Sequence, residues 1–584
     1  MNTILSFKTV LCSLCILIAT QTLNSQTKTE QLDELIGLYH EYGTFNGSVL
    51  VAEKGEVIYE KGFGMANMEW DIPNAPNTKH RLGSISKQFT GMLILQLVAE
   101  GKIDVQKPVS TYLPEYPKPQ ADDITVHHLL THTSGIPNYT SFPNFFENVS
   151  MKFFEPKEFI NEFADMDLEF IPGDQFSYSN SGYFLLGVLI EEVTGKSYEE
   201  NLEERIFAPL KMTSSGYDHH GEIIKNRATG YEKAGMGYEN SRYLDMSIPY
   251  SAGSLYSTAE DLYKWDQALY TEKLLPKELM ELYFTPQIEA WGDSFYAYGF
   301  GVGEEPLGSS KETIYVHTHG GGINGFNTNI SRAPENKSLI VLLNNTGGAP
   351  LNDMTVAIRG ILAGKTYDLP KKSIVPELLD EMQSNGIKAA ENLFKSIKDN
   401  DGFYLSERDM NEAGYSLMAD EKTKEAAAIF KMNMESYPSS ANAYDSYAES
   451  QMKLGNKKEA IANYEKSLEL NPMNENGVKM LEELGVDVSE YTKTVEVSNE
   501  ILETYVGDYE LMPGFILAVS NKGGKLITQA TGQGPIPLEA ISDDAFAAPD
   551  VGARITFQKD EKGKVVSLTL FQNGQEMLGS RVEE

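Results

Sequence analysis

Thiols are nearly missing from this 584-residue sequence: its two cysteines, Cys12 and Cys15, both precede residue 26. Without others, disulfides, cysteine nucleophiles and thiolate metal sites are excluded from the rest of the chain. Basic residues are also scarce, with 49 Lys and Arg against 84 Asp and Glu and a formal net charge of −35. A chain this acidic repels phosphate backbones and anionic membrane surfaces, so nucleic acid is not expected as a partner. After residue 25 no apolar run is long enough to span a bilayer, and the mature chain is expected to lack a transmembrane segment. The HExxH zinc motif is missing too. His317 and His319, two apart on a prospective strand, offer two ligands where a catalytic zinc needs about three. Neither a metal nor any other cofactor is expected.

What is present is globular: apolar residues make up 41% and aromatics 10% of a chain too long for one core. Residues 1–25 read as a signal peptide, with Lys8 before the apolar stretch Val10 to Ala19 and small or polar residues up to Ser25. Leu11 and Leu14, before the two cysteines, do not suit lipoprotein cleavage. A periplasmic or secreted protein is the expectation.

Three compositions follow. Residues 30–365 mix strands, helices and Gly-rich turns: Asn46 to Tyr59 read as a hairpin turning at Lys54 and Gly55, and Ser84 to Glu100 as a buried helix ended by Gly101. Strand signals return at Ser338 to Leu343, so the sheet is expected to draw on both ends of this segment. Residues 373–487 are helical and repetitive. Lys424, Phe430 and Pro438 are matched by Lys458, Tyr464 and Pro472, each pair 34 residues apart, which is the tetratricopeptide period. The helix Ile387 to Ile397 is expected to complete the stack, whose groove offers a place for a protein or peptide partner. Residues 498–584 alternate again and predict a small all-β barrel or sandwich.

The chemistry centres on Ser84-Ile85-Ser86-Lys87, at the start of the buried helix. A spacing of three sets Ser84 and Lys87 on one helical face. A serine hydroxyl needs a base, and partial burial together with the positive end of the helix disfavours the lysine ammonium. Ser25 and Ser450 also stand three residues before a lysine, but Ser25 is at the signal boundary and Ser450 inside a repeat helix. Tyr178-Ser179-Asn180 lies in a loop before a helix-like run, where a phenol can relay protons and an amide can orient lysine and substrate. His319-Gly320-Gly321-Gly322 provides a strand edge that substrate can approach. The Gly322 N–H there is expected to pair with that of Ser84 as an oxyanion hole. Tyr238 with Asn240, and His219-His220-Gly221, repeat parts of these patterns without their context.

In this order the three motifs resemble the serine β-lactamase and penicillin-binding protein superfamily, in its class C-like branch with D,D-peptidases and esterases. Ile124 to Gly135 and Ala252 to Leu262 add to the resemblance. It implies an α/β (α+β) domain facing a helical one with the site between them; with the repeats and alternation read above, the fold class expected is a multidomain chain that continues all-α and then all-β. Carried over, Ser84 is the acylated nucleophile, Lys87 and Tyr178 share the base and relay roles, and Asn180, His319, Gly321 and Gly322 bind substrate. His319 stands where lactamases carry a lysine and Gly320 where they carry a threonine, so the substrate carboxylate should be held less well. The implied activity is therefore hydrolysis of small acyl esters, amides or D-amino-acid peptides, with β-lactam hydrolysis as the alternative. His132 is expected to be structural. A metallohydrolase built on His317 and His319 is the rival enzyme, and a silent penicillin- or peptide-binding module the rival without catalysis.

Overall fold

The computed structural model describes residues 26–582 apart from 118–119, 144, 235–236, 293, 490–495, 513–514, 532, 549–550, 561 and 573–574, so the expected signal peptide lies outside the described residues. A helix, α1 (Lys28–Glu41), precedes the expected hairpin of β1 (Gly47–Glu53) and β2 (Glu56–Phe63). Lys54 (φ 56°) and Gly55 (φ 81°) turn it, both left-handed, as a tight hairpin turn requires. α2 (Ser86–Ala99) and α3 (Asn180–Thr194) form the heart of a helical layer. Then come β3 (Ile288–Trp291), β4 (Ser294–Tyr296), β5 (Gly301–Pro306), β6 (Thr313–Ile323), β7 (Phe326–Ala333), β8 (Ser338–Asn344) and α4 (Leu351–Ala363).

The eight strands form one sheet ordered β3-β4-β5-β6-β7-β8-β1-β2. β1 pairs with β8 from Gly47↔Asn344 to Ala52↔Leu339, so the two ends of the segment meet in the sheet. Every residue of β8 is buried. Alternation explains why: Ile340 and Leu342 join Val49 and Val51 in a core with α1 and α4, while Leu339, Val341 and Leu343 join Leu50 and Ala52 in the core of the helical layer. A sheet covered on both faces needs apolar residues at successive positions.

α2 is buried on nearly every side, from Ser86 to Leu97, which is why its sequence shows no polar stripe. Gly101 (φ 68°) follows its C-cap. Ser84 departs slightly from the expected helix start: it lies in a 3₁₀ turn, Gly83–Ile85, that leads into α2.

The next segment is helical, with helices Ile374–Asn385, Ile387–Ile397, Glu407–Ala419, Thr423–Ser436, Ala441–Lys453, Lys457–Leu470 and Glu475–Glu483. The residues that recur in sequence play matching parts. Ala426 and Ala460 are fully buried, and so are Phe430 and Tyr464. The last segment carries a nine-stranded antiparallel sheet from Gly507–Met512 to Gln575–Arg581. Leu526, near one end of its strand order, shares a core with Phe546, near the other, so the sheet curls almost into a barrel. Among the described residues no helix is long and apolar enough to cross a membrane.

Candidate active site

The nucleophile turn is wedged against β6. Gly83 is left-handed (φ 55°), and a side chain there would meet the Gly322 backbone nitrogen at 2.9 Å. A methyl on Gly321 would overlap the Leu82 carbonyl oxygen and the Thr328 hydroxyl. That hydroxyl donates to the Leu82 carbonyl at 2.7 Å, tying β7 to the same turn. The pairing of β5 with β6 ends at Gly301↔Thr318, whereas β7 pairs with β6 as far as Ile323. The segment His319–Ile323 therefore extends beyond β5, beside the half-buried Ser84.

Lys87 is fully buried. Its Nζ lies 3.1 Å from Ser84 Oγ, 2.8 Å from Asn180 Oδ1 and 2.9 Å from the carbonyl oxygen of Ala252. Amide and carbonyl oxygens only accept, so two N–H groups are committed to them. All three partners are uncharged. Burial alone, with no carboxylate to compensate, holds Lys87 well below the ordinary lysine value. When the amine is deprotonated, with two N–H groups engaged, its lone pair is free to face the remaining neighbour, the Ser84 hydroxyl.

Tyr178 covers this arrangement, its ring 4.8 Å from Lys87 Nζ. Burial pushes its phenol upward, and the neighbouring Ser84 side chain lowers it only in part. Tyr178 is thus a neutral phenol at physiological pH. Asn180 opens α3, which Ser179 caps by accepting from the Gly182 N–H. The Asn180 side chain is turned by its neighbours: Nδ2 donates to Asn138 Oδ1 at 3.3 Å and to Thr140 Oγ1 at 3.4 Å, leaving Oδ1 for Lys87.

His319 is buried. Its Nδ1 lies 2.6 Å from the Gly320 carbonyl and its Nε2 3.1 Å from the Tyr296 hydroxyl. The carbonyl only accepts, so Nδ1 carries the proton and Nε2 receives one from Tyr296. Burial first, and second the nearby Lys87 whenever that amine is protonated, lower its pKa to about 3. Trp291, half exposed, stands beside Phe176, Tyr178 and Tyr296 at ring separations of 5.1, 6.3 and 5.9 Å, an aromatic wall at the mouth.

All seven residues singled out in sequence, Ser84, Lys87, Tyr178, Asn180, His319, Gly321 and Gly322, thus converge at the start of α2 and the far end of β6. The partial matches do not join them. Tyr238 donates to the Gly43 carbonyl, His219 pairs with Glu199, and Ser450 is buried within its helix. His317 receives a hydrogen bond from Arg332, which is paired with Asp266 at 2.7 Å in a buried structural cluster. Among the described residues no group of three metal-ligating side chains forms. Sequence reasoning assigned no role to Ala252, Asn138, Thr140 or Tyr296. Asn138 and Thr140 closely follow the Thr131-to-Gly135 turn, the one signal that marked their neighbourhood.

The Beta-lactamase family profile matches residues 28–363, and one described as a domain of unknown function (DUF3471) matches residues 492–581. Penicillin-binding protein 4* of Bacillus subtilis (strain 168) is 30% identical over 364 residues, 59% of this chain and 79% of that protein. The teichoic acid D-alanine hydrolase of Staphylococcus aureus is 32% identical over 274 residues, 45% of this chain and 64% of that protein. The crystal structure of a penicillin-binding protein from Bacillus halodurans superimposes with a TM-score of 0.51 at 28% identity, covering 56% of this chain and 99% of that one. With residues 28–363 matched, more than half of its length, the chain belongs to the beta-lactamase family.

Proposed function

We propose that the protein is an exported serine hydrolase that works through an acyl-enzyme on Ser84 and cleaves esters or amides of D-amino acids and other small acyl groups. The observation that carries this reading is the environment of Lys87: buried, without a carboxylate partner, held well below the ordinary lysine value and 3.1 Å from Ser84 Oγ. Lys87 takes the Ser84 proton as Oγ attacks the substrate carbonyl carbon. The oxyanion that forms is held by the backbone N–H groups of Ser84 and Gly322. Collapse of the tetrahedral intermediate breaks the bond to the leaving group, which receives the proton from Lys87 through the Tyr178 hydroxyl. Water then attacks the acyl carbon by the reverse route, with its proton passing to Lys87, and frees the acid and Ser84. Asn180 orients Lys87 and the substrate, and Gly321 lets the substrate approach the strand.

The substrate class follows from what His319 cannot do. A neutral imidazole with both nitrogens engaged offers no cation to a carboxylate, unlike a lysine in that place. The leaving side is instead bordered by the uncharged wall of Trp291, Phe176 and Tyr296. A relative named for hydrolysing D-alanine from teichoic acid is in keeping with a D-aminoacyl ester as substrate. Export through residues 1–25, the limits at 30–365, 373–487 and 498–584, and the tetratricopeptide nature of the helices, with a protein or peptide partner in their groove, belong to the same proposal.

The test is active-site labelling with a fluorophosphonate and a fluorescent penicillin, read by intact mass. One adduct on the wild type, lost in Ser84→Ala and slowed by orders of magnitude in Lys87→Ala and Tyr178→Phe, is the expected result. An adduct on Ser86 or Ser134, or none, refutes it.

A further inference from the structure

His132 lies beneath Tyr178, outside the set of groups that touch a substrate. It is 1% exposed and left-handed (φ 57°), an uncommon conformation for a side chain of its size. Its main-chain carbonyl accepts the Ser177 N–H at 2.9 Å and its ring Nδ1 accepts the Ser179 N–H at 3.1 Å. One residue therefore grips the backbone on both sides of Tyr178. Its imidazole also lies against the Tyr178 ring, 4.2 Å between centroids with planes inclined at 33°. Tyr183 and Tyr296 complete the cage at 4.9 and 4.7 Å. Because Nδ1 accepts, the ring proton is on Nε2, which is buried without a hydrogen-bond partner. A buried N–H left unsatisfied among aromatic rings costs stability and has no evident packing purpose, since an apolar residue would fill the same space without that cost.

We infer that His132 is a positioning residue for proton transfer: it sets the height and tilt of Tyr178 so that the phenol reaches Ser84. The inference rests on the role given to Tyr178 above. The left-handed backbone brings the carbonyl and the ring of His132 to bear on the same short segment, which an ordinary turn residue would reach with its main chain alone. Ser179, the second amide held, also caps α3, so the bracket joins Tyr178 to the start of the helix that carries Asn180.

Two substitutions separate this from a packing role. Asn and Gly both tolerate the left-handed conformation, but only Asn keeps an acceptor at the position of Nδ1. His132→Gly is expected to slow acylation by p-nitrophenyl butyrate about 100-fold with little change in KM, and His132→Asn to recover at least tenfold of that. In a Tyr178→Phe background His132→Gly should cost less than about threefold, because the hydroxyl it positions is gone. Equal rates for Asn and Gly, or effects that simply multiply in the double variant, would overturn the inference. If His132→Gly does not fold, the cycle is run with His132→Asn alone, where multiplying effects have the same meaning. Hydrogen exchange at the Ser177 and Ser179 amides gives a readout without turnover. Faster exchange in His132→Gly is expected even if Ser84 proves not to be acylated, and unchanged exchange counts against the bracket itself.

Discussion

Lys87 Nζ lies 2.9 Å from the carbonyl oxygen of Ala252, a main-chain acceptor 165 positions further along the chain. Ala252 belongs to a short buried turn, Tyr250–Gly253, whose Ser251 hydroxyl bonds the Tyr183 carbonyl of α3 at 2.8 Å. The lysine that acts on α2 is thus directed by backbone from elsewhere in the helical layer. Its charge is suppressed by burial, without a counter-charge among its three partners.

One consequence is visible in stability against pH. Burial depresses the folded-state pKa of Lys87 below its ordinary 10.5, which the unfolded chain retains. Between those two values the unfolded chain binds the additional proton, so this group makes stability rise with pH. Comparing wild type with Lys87→Met by thermal melting, the difference in Tm should shift in favour of the wild type between pH 7 and pH 10. A difference that is constant, or shifts the other way, means that Lys87 is charged in the folded protein.

Acylation should follow the same group. Rates measured by burst or labelling kinetics should fall on acidification along one limb, with an apparent pKa below the ordinary lysine value. No alkaline loss is expected up to about pH 10, because burial raises rather than lowers the Tyr178 phenol. An alkaline limb below that pH, abolished in Tyr178→Phe, would make the tyrosine ionisation part of the step.

His319 decides how a carboxylate is received. A substrate that relies on a charge-assisted hydrogen bond loses on the order of 1.5–3 kcal/mol where no cation meets it. In the wild type, kcat/KM for p-nitrophenyl butyrate or a D-alanyl ester should exceed that for a chromogenic cephalosporin. His319→Lys should lower KM for a D-Ala-D-Ala peptide about tenfold relative to the neutral ester. Equal changes for both substrates would mean that position 319 does not face the carboxylate.

Adjacent glycines on β6 should behave differently. At Gly321 a methyl overlaps the Leu82 carbonyl, and at Gly322 it meets open space. Gly321→Ala is expected to cost several kcal/mol of stability and most of the activity, through displacement of the nucleophile turn. Gly322→Ala should change stability by less than about 1 kcal/mol and keep its N–H in place. Chemical denaturation and Ser84 labelling of the two variants provide the check; comparable losses would show that β6 does not press on the turn as described.

Proteolysis tests the proposed boundaries. Lys371 is exposed, while Lys372 is held by a backbone bond to the Gly402 carbonyl and an ion pair with Glu377, so trypsin should cut first after Lys371. A second cut is expected near Tyr491 to Asn499, a stretch that falls partly outside the described residues. A fragment ending near residue 371 that fails to fold would make the helices part of the catalytic unit.

Much of the molecule was legible beforehand, for reasons that differ by element. The β1–β2 hairpin announced itself through strand alternation and Lys54-Gly55, because local backbone preference decides such turns. α2 was legible as buried because apolar residues cover its whole circumference. The pairing of Ser84 with Lys87 was legible because a spacing of three is a contact in any helical geometry, although the turn there is 3₁₀. The repeated Ala, aromatic and Pro positions marked helices packed in succession.

What the sequence determined by itself was the chemistry that can be written in side-chain types and short spacings: a serine, a lysine one turn on, a tyrosine and an amide in one loop, and a glycine-rich strand. Tertiary structure alone decided how those groups are charged and aimed. Lys87 is held well below the ordinary lysine value because distant segments exclude water from it, Asn180 faces it because Asn138 and Thr140 take the other end of the amide, and His319 is uncharged because burial disfavours its imidazolium, while Tyr296 and the Gly320 carbonyl fix its tautomer. A main-chain carbonyl such as that of Ala252 has no residue type to betray it, and burial is a property of the assembled layers rather than of any short stretch. Those two facts set the limit of what sequence could reveal here.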